Sequence, residues 1–365
     1  MQNEPELFLS PSLYHAEVMK NLKPSHAYAG GDVRAWQETL RAKLAELVGV
    51  WPIDTTPADM RARWAEEHPG QAIAAPRPPL NPRTSWRRET DLGTIEKIAF
   101  TSEPFADVLT YLCIPAGLKP PYPLMICLQG HSTGMHVSIG VQRDDETQPY
   151  QAEGDRDFAL GCMRRGVAAL CIEQRSFGYR REQVQERVGE HGCHDATMQA
   201  LLIGRTLVGE RTYDVDRAID YLESRGDVNM AKLGVMGNSG GGTVTILSAA
   251  LLPRIQFAIP SCGFASYRGS IGSMYHCADN YIPGILRYAE MGDVMSLFAP
   301  KPLVIVAGVE DKIFPIAAVK ESYAQVERVY AESGAAGKCH LVVGSEGHRF
   351  YADLAWEKMT PYILG

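Results

Sequence analysis

A glycine-rich segment in the second half of the chain carries a serine between a predicted strand and a predicted helix. The segment, Gly237-Asn238-Ser239-Gly240-Gly241-Gly242, follows the apolar run 233–236 and precedes a helix-like run at 243–252. A strand, a tight Gly-x-Ser-x-Gly turn and a helix are the setting of a nucleophile elbow, in which the serine backbone is strained and its neighbours must be small. The segment predicts that Ser239 is a nucleophile, although a glycine-rich loop capped by a serine has the same pattern.

Apolar runs and helical repeats alternate over residues 94–365. Strands are predicted at 94–101, 107–114, 124–128, 167–172, 233–236, 257–260, 303–307 and 340–343, and helices at 158–165, 196–224, 243–252, 316–333 and 351–359. Strands that alternate with helices predict an α/β fold with a mostly parallel central sheet and helices on both faces. Ligands bind such sheets beyond the carboxyl ends of the strands, so we expect the functional residues at that edge.

The first 93 residues are predicted to form a helical and extended arm. Apolar residues recur at helical spacing between positions 33 and 47, and Asp32 is placed to cap that helix. Proline becomes dense at positions 76, 78, 79 and 82, and arginines follow at 83, 87 and 88, which favours an extended, solvated linker. We expect the arm to pack on a catalytic domain that spans 94–365.

A serine hydroxyl needs a neighbouring base, and the base needs an acid that orients it. In the elbow setting the acid and then the histidine follow the serine along the chain. His348 lies in a loop after the last predicted strand, where its ring can reach Ser239, whereas the alternative, His340, lies inside that strand. Asp311 directly follows a predicted strand and is favoured over its neighbour Glu310 as the acid.

An oxyanion hole requires two backbone donors. The predicted pair is the N–H of Gly240, which follows the nucleophile, and the N–H of His131, in the loop after an early strand. Glu173 and Arg175 follow another strand at the same edge. They are predicted to line the substrate pocket, to brace the oxyanion loop or to form a purely structural ion pair.

A long connection, at about residues 265–291, separates two predicted strands and is expected to form a cap over the site. Tyr275 and His276 within it are candidate substrate-binding residues. The aromatic residues of this connection suit a sugar or an aromatic ester, and they suit the core of a cap equally well.

Potential metal ligands occur together in one short segment, which contains His191, Cys193, His194 and Asp195. No second group at ligand spacing accompanies them, so a loop is favoured over a metal site, and neither a metal nor an organic cofactor is expected. The 8 cysteines include no C-x-x-C pair, and buried reduced thiols are expected rather than disulfides.

The charge and hydropathy of the chain exclude some classes of function. A formal net charge of -7 and a sequence pI of about 5.8, without a basic stripe, argue against nucleic-acid binding. No apolar run approaches the roughly 18 residues needed to cross a bilayer, and residues 1–6 lack the features of a signal peptide. We expect a cytoplasmic protein that acts on a small molecule, and a homo-oligomer stays open.

The chain resembles the α/β-hydrolases, in particular the dienelactone-hydrolase-like and acetyl-xylan-esterase-like serine esterases of bacteria. The resemblance covers about residues 94–365 and rests on Gln129-Gly130-His131, Glu173-Gln174-Arg175-Ser176-Phe177-Gly178, Gly237-Asn238-Ser239-Gly240-Gly241, Asp311 and His348. It implies hydrolysis of carboxylic esters, often removal of acetyl groups from sugars. Dienelactone hydrolases proper carry a cysteine at the elbow, so Ser239 argues against a dienelactone substrate.

Two other functions stay open at this point. A serine peptidase or amidase of the prolyl-oligopeptidase kind uses the same triad, although the short N-terminal region argues against long peptide substrates. A binding protein on an inactive hydrolase scaffold is disfavoured, because the serine, the acid and the histidine are all present.

Overall fold

The computed structural model describes residues 9–51, 62, 65–66, 69, 77–131, 133–182 and 192–365. The strands in this part of the chain are β1 (Arg83–Thr90), β2 (Gly93–Glu103), β3 (Ala106–Pro115), β4 (Tyr122–Leu128), β5 (Ala168–Ile172), β6 (Val228–Asn238), β7 (Phe257–Ser261), β8 (Leu303–Gly308) and β9 (Cys339–Gly344). They form one sheet in the order β1-β2-β3-β5-β4-β6-β7-β8-β9. Pairing is antiparallel from β1 through β3 to β5, and parallel from β5 to β9.

The α-helices of the described residues connect or flank these strands. They are α1 (Pro11–Asn21), α2 (Val33–Val48), α3 (Phe158–Met163), α4 (His194–Leu202), α5 (Leu207–Arg225), α6 (Gly240–Leu251), α7 (Met291–Ser296), α8 (Ile316–Glu332) and α9 (Ala352–Ile363).

Two apolar cores lie on the two faces of the sheet, and the side chains of β4 point into them alternately. Leu124, Ile126 and Leu128 are buried in one core, while Met125 and Cys127, which point the other way, are buried in the second. The first core also contains residues of α2, α5, α6, α7 and α8, and the second contains residues of α3 and α9. The predicted α/β fold, with a mostly parallel sheet covered by helices on both faces, is confirmed.

Helix α2 of the predicted arm is built into the first core. The carboxylate of Asp32 accepts hydrogen bonds from two backbone N–H groups of the first turn, as the sequence predicted. Leu40 and Leu44 are fully buried against the main body. The side-chain amide of Gln37 donates to two backbone carbonyls at and just beyond the end of α7. Apolar burial and directed hydrogen bonds therefore both attach this helix to the sheet.

The arginine-bearing segment predicted as a solvated linker forms strand β1 instead. Its backbone pairs with β2, and the Trp86 ring lies 5.6 Å from that of Tyr111. The indole N–H of Trp86 donates to Glu146, and the Arg88 guanidinium lies 4.0 Å from the indole ring. Because one half-buried aromatic anchors an otherwise polar strand, the sequence shows no apolar alternation there. The sheet thus begins before residue 94, Pro76 lies outside the described residues, and the domain division stays a prediction.

The helix predicted at 196–224 is interrupted. Gly204, with a φ of +75°, ends the turn after α4, and the Thr206 hydroxyl caps α5 by accepting the N–H of Gly209 at 3.0 Å. A Cβ on Gly209 would lie 2.1 Å from the carbonyl oxygen of Val48, at the end of α2. The break sets α5 in backbone contact with α2, which an apolar stripe alone does not indicate.

Within the described ranges, no helix combines the length and the apolar character that a membrane span requires. The cytoplasmic location expected from the sequence stays a prediction.

Replacing Leu44 with alanine should lower the free energy of unfolding by about 2–5 kcal/mol, because this fully buried side chain joins α2 to the main core. Leu13, whose side chain in α1 is 60 % exposed, supplies the control, and Leu13→Ala should change that free energy by less than about 0.5 kcal/mol. Urea unfolding followed by circular dichroism measures both. Equal effects of the two changes would mean that α2 does not belong to the folded core.

Candidate active site

Ser239 occupies the sharp turn between β6 and α6. Its backbone, with φ 58° and ψ -122°, is strained for a residue with a side chain, and its N–H donates to the carbonyl of Ser261 at 2.9 Å. A Cβ on Gly237 would lie 2.5 Å from the carbonyl oxygen of Gly241, and one on Gly241 would lie 2.1 Å from that of Leu128. Glycine is required at both positions because strand and helix cross in backbone contact, which presents Ser239 at the carboxyl edge of the sheet.

Asp311 and His348 lie at the same edge, beyond β8 and β9. Nδ1 of His348 lies 2.7 Å from Oδ2 of Asp311, whose Oδ1 accepts the N–H groups of Ile313 at 2.8 Å and Phe314 at 3.1 Å. Burial raises the pKa of the Asp311 carboxyl, but the hydrogen bonds from His348 and from the two N–H groups outweigh burial and hold that pKa below its usual value. The carboxylate is therefore ionised at neutral pH and orients the His348 ring.

The surroundings of this pair are apolar on one side. The ring of Phe314 stacks on that of His348, with the ring centres 6.0 Å apart. The thiol of Cys262, the residue after β7, lies within 4.8 Å of ligand atoms of Asp311 and His348. Burial first and the Asp311 charge next raise the pKa of the Cys262 thiol to about 12, so the thiol is neutral beside the carboxylate. Sequence reasoning missed Cys262, and its position two residues after the strand predicted at 257–260 was the available signal.

The loop after β4 lies against the elbow. A Cβ on Gly130 would lie 2.9 Å from Cβ of Ser239 and 3.6 Å from its Oγ, and a Cβ on Gly240 would lie 2.8 Å from Cε1 of His131. The two residues whose N–H groups were predicted to form the oxyanion hole are therefore neighbours. Among the described residues the Ser239 hydroxyl makes no hydrogen bond, and catalytic hydrogen bonds often tighten only when substrate binds.

The side chain of His131 forms a second, buried acid–histidine pair. Its Nε2 lies 2.9 Å from both carboxylate oxygens of Asp279, and the carboxylate also accepts a 2.6 Å hydrogen bond from Nη1 of the fully buried Arg211. Burial is the largest single effect and lowers the pKa of His131, but the Asp279 charge and the hydrogen bonds of the ring together outweigh it and raise the pKa to about 9. Burial likewise opposes ionisation of Asp279, and the charges of Arg211 and His131 hold its pKa well below the usual range. Sequence reasoning did not connect these residues.

Glu173 and Arg175 are occupied by protein partners. The two carboxylate oxygens of Glu173 accept the N–H groups of Met135 at 3.1 Å and Tyr179 at 3.0 Å. The guanidinium of Arg175 is enclosed by three carboxylates, those of Glu103, Glu210 and Asp214. These contacts fit the bracing and ion-pair alternatives, and the predicted contact of either residue with a substrate stays a prediction.

Tyr275 and His276 lie in the connection between β7 and β8. Tyr275 is 88 % exposed. The His276 ring stands edge-on to Phe314, with the ring centres 5.5 Å apart, and the same Phe314 ring stacks on His348. Burial and, after it, the charge of His131 lower the pKa of His276 to about 4, so this imidazole is neutral at physiological pH. Position makes both residues candidates for contact with a substrate.

The alternative candidates lie apart from Ser239. Glu310 is exposed, and Nε2 of His340 lies 3.1 Å from the hydroxyl of Tyr362 in α9. In the segment with several potential metal ligands, His191 lies outside the described residues. His194 is an exposed partner of Asp195, whereas Cys193 is buried. Of the described residues in that segment, Cys193 lies close to other potential ligands, those of His131, Cys277 and Asp279.

The sheet order, the elbow and the placement of an acid and a histidine after later strands define the α/β-hydrolase fold. The chain therefore has this fold, as the sequence predicted.

Three known proteins show how far the similarity extends. YtaP of Bacillus subtilis (strain 168), provisionally described as a hydrolase, is 26% identical over 275 residues, which cover 74% of this chain and 88% of that protein. A crystal structure from Bacteroides fragilis NCTC 9343, provisionally described as an acetyl xylan esterase, has a TM-score of 0.74 at 16% identity and covers 97% of this chain and 85% of its own. A glucuronoyl esterase from Solibacter usitatus has a TM-score of 0.58 at 16% identity over 94% of this chain and 98% of its own.

No protein-family model matches the chain. The similarity to the solved structures, at these identities, establishes the fold.

Glu173 should make the stability of the protein depend on pH. Burial raises the pKa of its carboxyl from the ordinary 4.5 to about 7, and the two backbone N–H groups offset only part of the rise. The folded protein therefore binds this proton more tightly than the unfolded chain, so the stability that Glu173 contributes is complete below about pH 4.5 and is lost as the pH rises through about 7.

The variant Glu173→Gln stays neutral and removes this titration. The free energy of unfolding of the wild type, measured relative to Glu173→Gln in urea, should fall between about pH 5 and about pH 8. Glu310→Gln, at an exposed position, is the control and should show no such trend. A difference between wild type and Glu173→Gln that stays constant over this range would contradict the raised pKa.

Proposed function

We propose that this protein is a serine carboxylic-ester hydrolase that acts through an acyl-serine intermediate on short-chain, acetyl esters. The observation that carries the proposal is the 2.7 Å contact between Asp311 and His348 at the edge that also presents the strained Ser239. Acyl transfer requires a serine at an exposed turn and a histidine that an acid orients. The names of the two structural relatives, both esterases, favour an ester over other bonds.

In the acylation half of the reaction, Ser239 Oγ attacks the carbonyl carbon of the ester. His348 Nε2 accepts the hydroxyl proton, while Asp311 holds Nδ1–H and stabilises the imidazolium that forms. The tetrahedral intermediate then collapses, the bond to the alcohol oxygen breaks, and His348 returns the proton to that oxygen. The alcohol leaves and an acyl-serine stays on Ser239.

Backbone donors stabilise the negative charge on the carbonyl oxygen. Gly240 is the first residue of α6, where a helix leaves its N–H groups without acceptors inside the helix and its dipole favours an anion. The loop that carries His131 lies in contact with Ser239 and Gly240. We assign the N–H groups of Gly240 and His131 to the oxyanion hole, because rigid donors at this place lower the energy of the transition state.

In the deacylation half, water replaces the alcohol. His348 takes a proton from the water, whose oxygen attacks the acyl carbon, and the second tetrahedral intermediate is held by the same two N–H groups. Its collapse releases the carboxylic acid and returns the proton to Ser239 Oγ. No step of this cycle uses a metal ion or an organic cofactor.

We assign an acetylated carbohydrate as the substrate class. The structural relatives are named as an acetyl xylan esterase and a glucuronoyl esterase. A cleft of about 1040 Å³ between α1 and the cap is lined by Tyr275 and Tyr281, which expose aromatic faces. The residue after Tyr275, His276, contacts Phe314, whose ring stacks on His348. Flat aromatic side chains with a polar end suit a ligand that is partly apolar and partly hydroxylated.

Ser239→Ala should lower kcat for a short aryl acetate on the order of 10⁶-fold, because no other group supplies the nucleophile. A fluorophosphonate probe should label the wild type at Ser239, as mass spectrometry of the labelled peptide would show, and should leave the variant unlabelled. Ser333→Ala, at the end of α8, is the control and should keep both activity and labelling. Full activity of Ser239→Ala would contradict the proposal that Ser239 is the nucleophile.

Asp311→Asn should lower kcat about 10⁴-fold with little change in KM, because an amide no longer fixes the tautomer of His348 or stabilises its imidazolium. Asp353→Asn is the control, since its side chain is 98% exposed and lies on α9. Stopped assays with a chromogenic acetate measure both. Loss of activity in Glu310→Gln but not in Asp311→Asn would move the acid to Glu310.

A comparison of substrates distinguishes the proposed esterase from the alternative, a peptidase or amidase. Acetyl esters of aryl alcohols and of sugars, longer acyl esters and aminoacyl anilides are assayed with wild type and Ser239→Ala. Turnover of acetylated sugars that depends on Ser239, without turnover of anilides, supports the proposal. If the wild type turned over the anilides faster than the esters, the protein would be an amidase or peptidase and not an esterase.

A further inference from the structure

A second cluster of reactive side chains lies beside the elbow and outside the serine, acid and histidine described above. His131, Cys193, Cys277 and Asp279 each offer one ligand atom, and these four atoms lie within 4.8 Å of one another. The residues come from three separate segments, namely the loop after β4, the residue before α4 and the connection between β7 and β8. Their side chains therefore converge because of the tertiary fold.

Contacts inside this cluster are direct. Nε2 of His131 lies 2.9 Å from both oxygens of Asp279, and the thiol of Cys193 lies within 4.8 Å of the ligand atoms of Cys277 and His131. Cys193 and Asp279 are buried. Ester hydrolysis by Ser239 accounts for neither thiol, so the convergence of two sulfur, one nitrogen and one oxygen donors calls for a separate explanation.

We propose that these four side chains, His131, Cys193, Cys277 and Asp279, bind one zinc ion. Zinc takes four such ligands in a tetrahedron, with sulfur at about 2.3 Å and imidazole nitrogen or carboxylate oxygen at about 2.0–2.2 Å. The ligand atoms of that tetrahedron are roughly 3.3–3.8 Å apart. Atoms already within 4.8 Å of one another reach it through small side-chain movements. Thiolate and imidazole donors select zinc over magnesium or calcium.

The charges around the ion are balanced by a group already in place. When the metal binds, both thiols and the protonated ring of His131 release one proton each to solvent. Two thiolates and the Asp279 carboxylate then face a divalent cation and a neutral imidazole. The fully buried guanidinium of Arg211, 2.6 Å from Oδ2 of Asp279, supplies the remaining positive charge. Its hydrogen bond also fixes the carboxylate, as the outer partners of ligands do in zinc proteins.

The cluster is open to ions on one side, because the His131 side chain is 13% exposed and Cys277 is only half-buried. A bound ion joins the loop after β4 to the cap and to the start of α4. The His131 ring lies against Gly240, so the ion holds this part of the site in place without entering any step of acyl transfer. Zinc binding should therefore raise the unfolding temperature.

The protein is stripped with a chelator under reducing conditions and titrated with Zn²⁺ in competition with a chromophoric chelator. Co²⁺ replaces Zn²⁺ in a parallel titration, since its thiolate charge-transfer and tetrahedral d–d absorption report the ligands directly. The variants are Cys193→Ser and Cys277→Ser. Cys339→Ser is the matched control, because that cysteine is also buried but lies at the start of β9.

We expect one Zn²⁺ per chain, a tetrahedral thiolate spectrum with Co²⁺, and a rise in unfolding temperature on adding Zn²⁺. Each ligand variant should bind at least about 100-fold more weakly, which exceeds the usual effect of changing an outer partner, and Cys339→Ser should bind as the wild type does. If a variant does not fold, the Co²⁺ spectrum of the wild type decides. Absence of thiolate bands, or a Cys193–Cys277 disulfide whose reduction restores no zinc binding, would overturn the proposal.

Discussion

The close backbone crossing at Ser239 is the constraint on which the rest of the site depends. A side chain on Gly237, Gly241 or Gly242 would meet a carbonyl oxygen of the neighbouring backbone at 2.5 Å or less. Strand β6 and helix α6 therefore approach each other as only glycine allows, and the serine between them takes a conformation that costs about 1–3 kcal/mol. That strain is offset by the fully buried helix behind it, and the same geometry brings the loop after β4 against Ser239.

Much of the site at the carboxyl edge of the sheet could be predicted from the sequence. The glycine-rich turn is a local pattern, and the common direction of parallel strands is a rule of topology. The glycine turn places Ser239 between a strand and a helix, and parallel strands carry Asp311 and His348 to the same edge. The predicted fold is confirmed, and Asp311 and His348 are in contact, although their catalytic roles stay predictions. Each of these residues lies within four residues of the end of a strand that its apolar run identifies.

The features that could not be predicted from the sequence depend on contacts between segments that are distant along the chain. Arg211 and Asp279 meet only because α5 and the cap pack beside the elbow, and a charged residue in a helical pattern is ordinarily assigned to solvent. One signal was present, since Arg211 lies four residues before Val215 and so shares the apolar stripe of α5. For β1, a single aromatic contact by Trp86 replaces the alternation that identifies a strand.

Two histidine–aspartate pairs flank Ser239, and their electrostatics assign them different roles. A general base must be able to accept a proton at the working pH. Asp279, desolvated beside Arg211, raises the pKa of His131 to about 9, so His131 already carries its proton at neutral pH and its Nε2 faces the carboxylate. With zinc bound, the same nitrogen is occupied by the metal. In neither state does His131 have a free lone pair for the proton of Ser239, whereas His348, the proposed base, contacts Asp311 through Nδ1. The choice of base therefore rests on the environment of each ring as well as on its order along the chain.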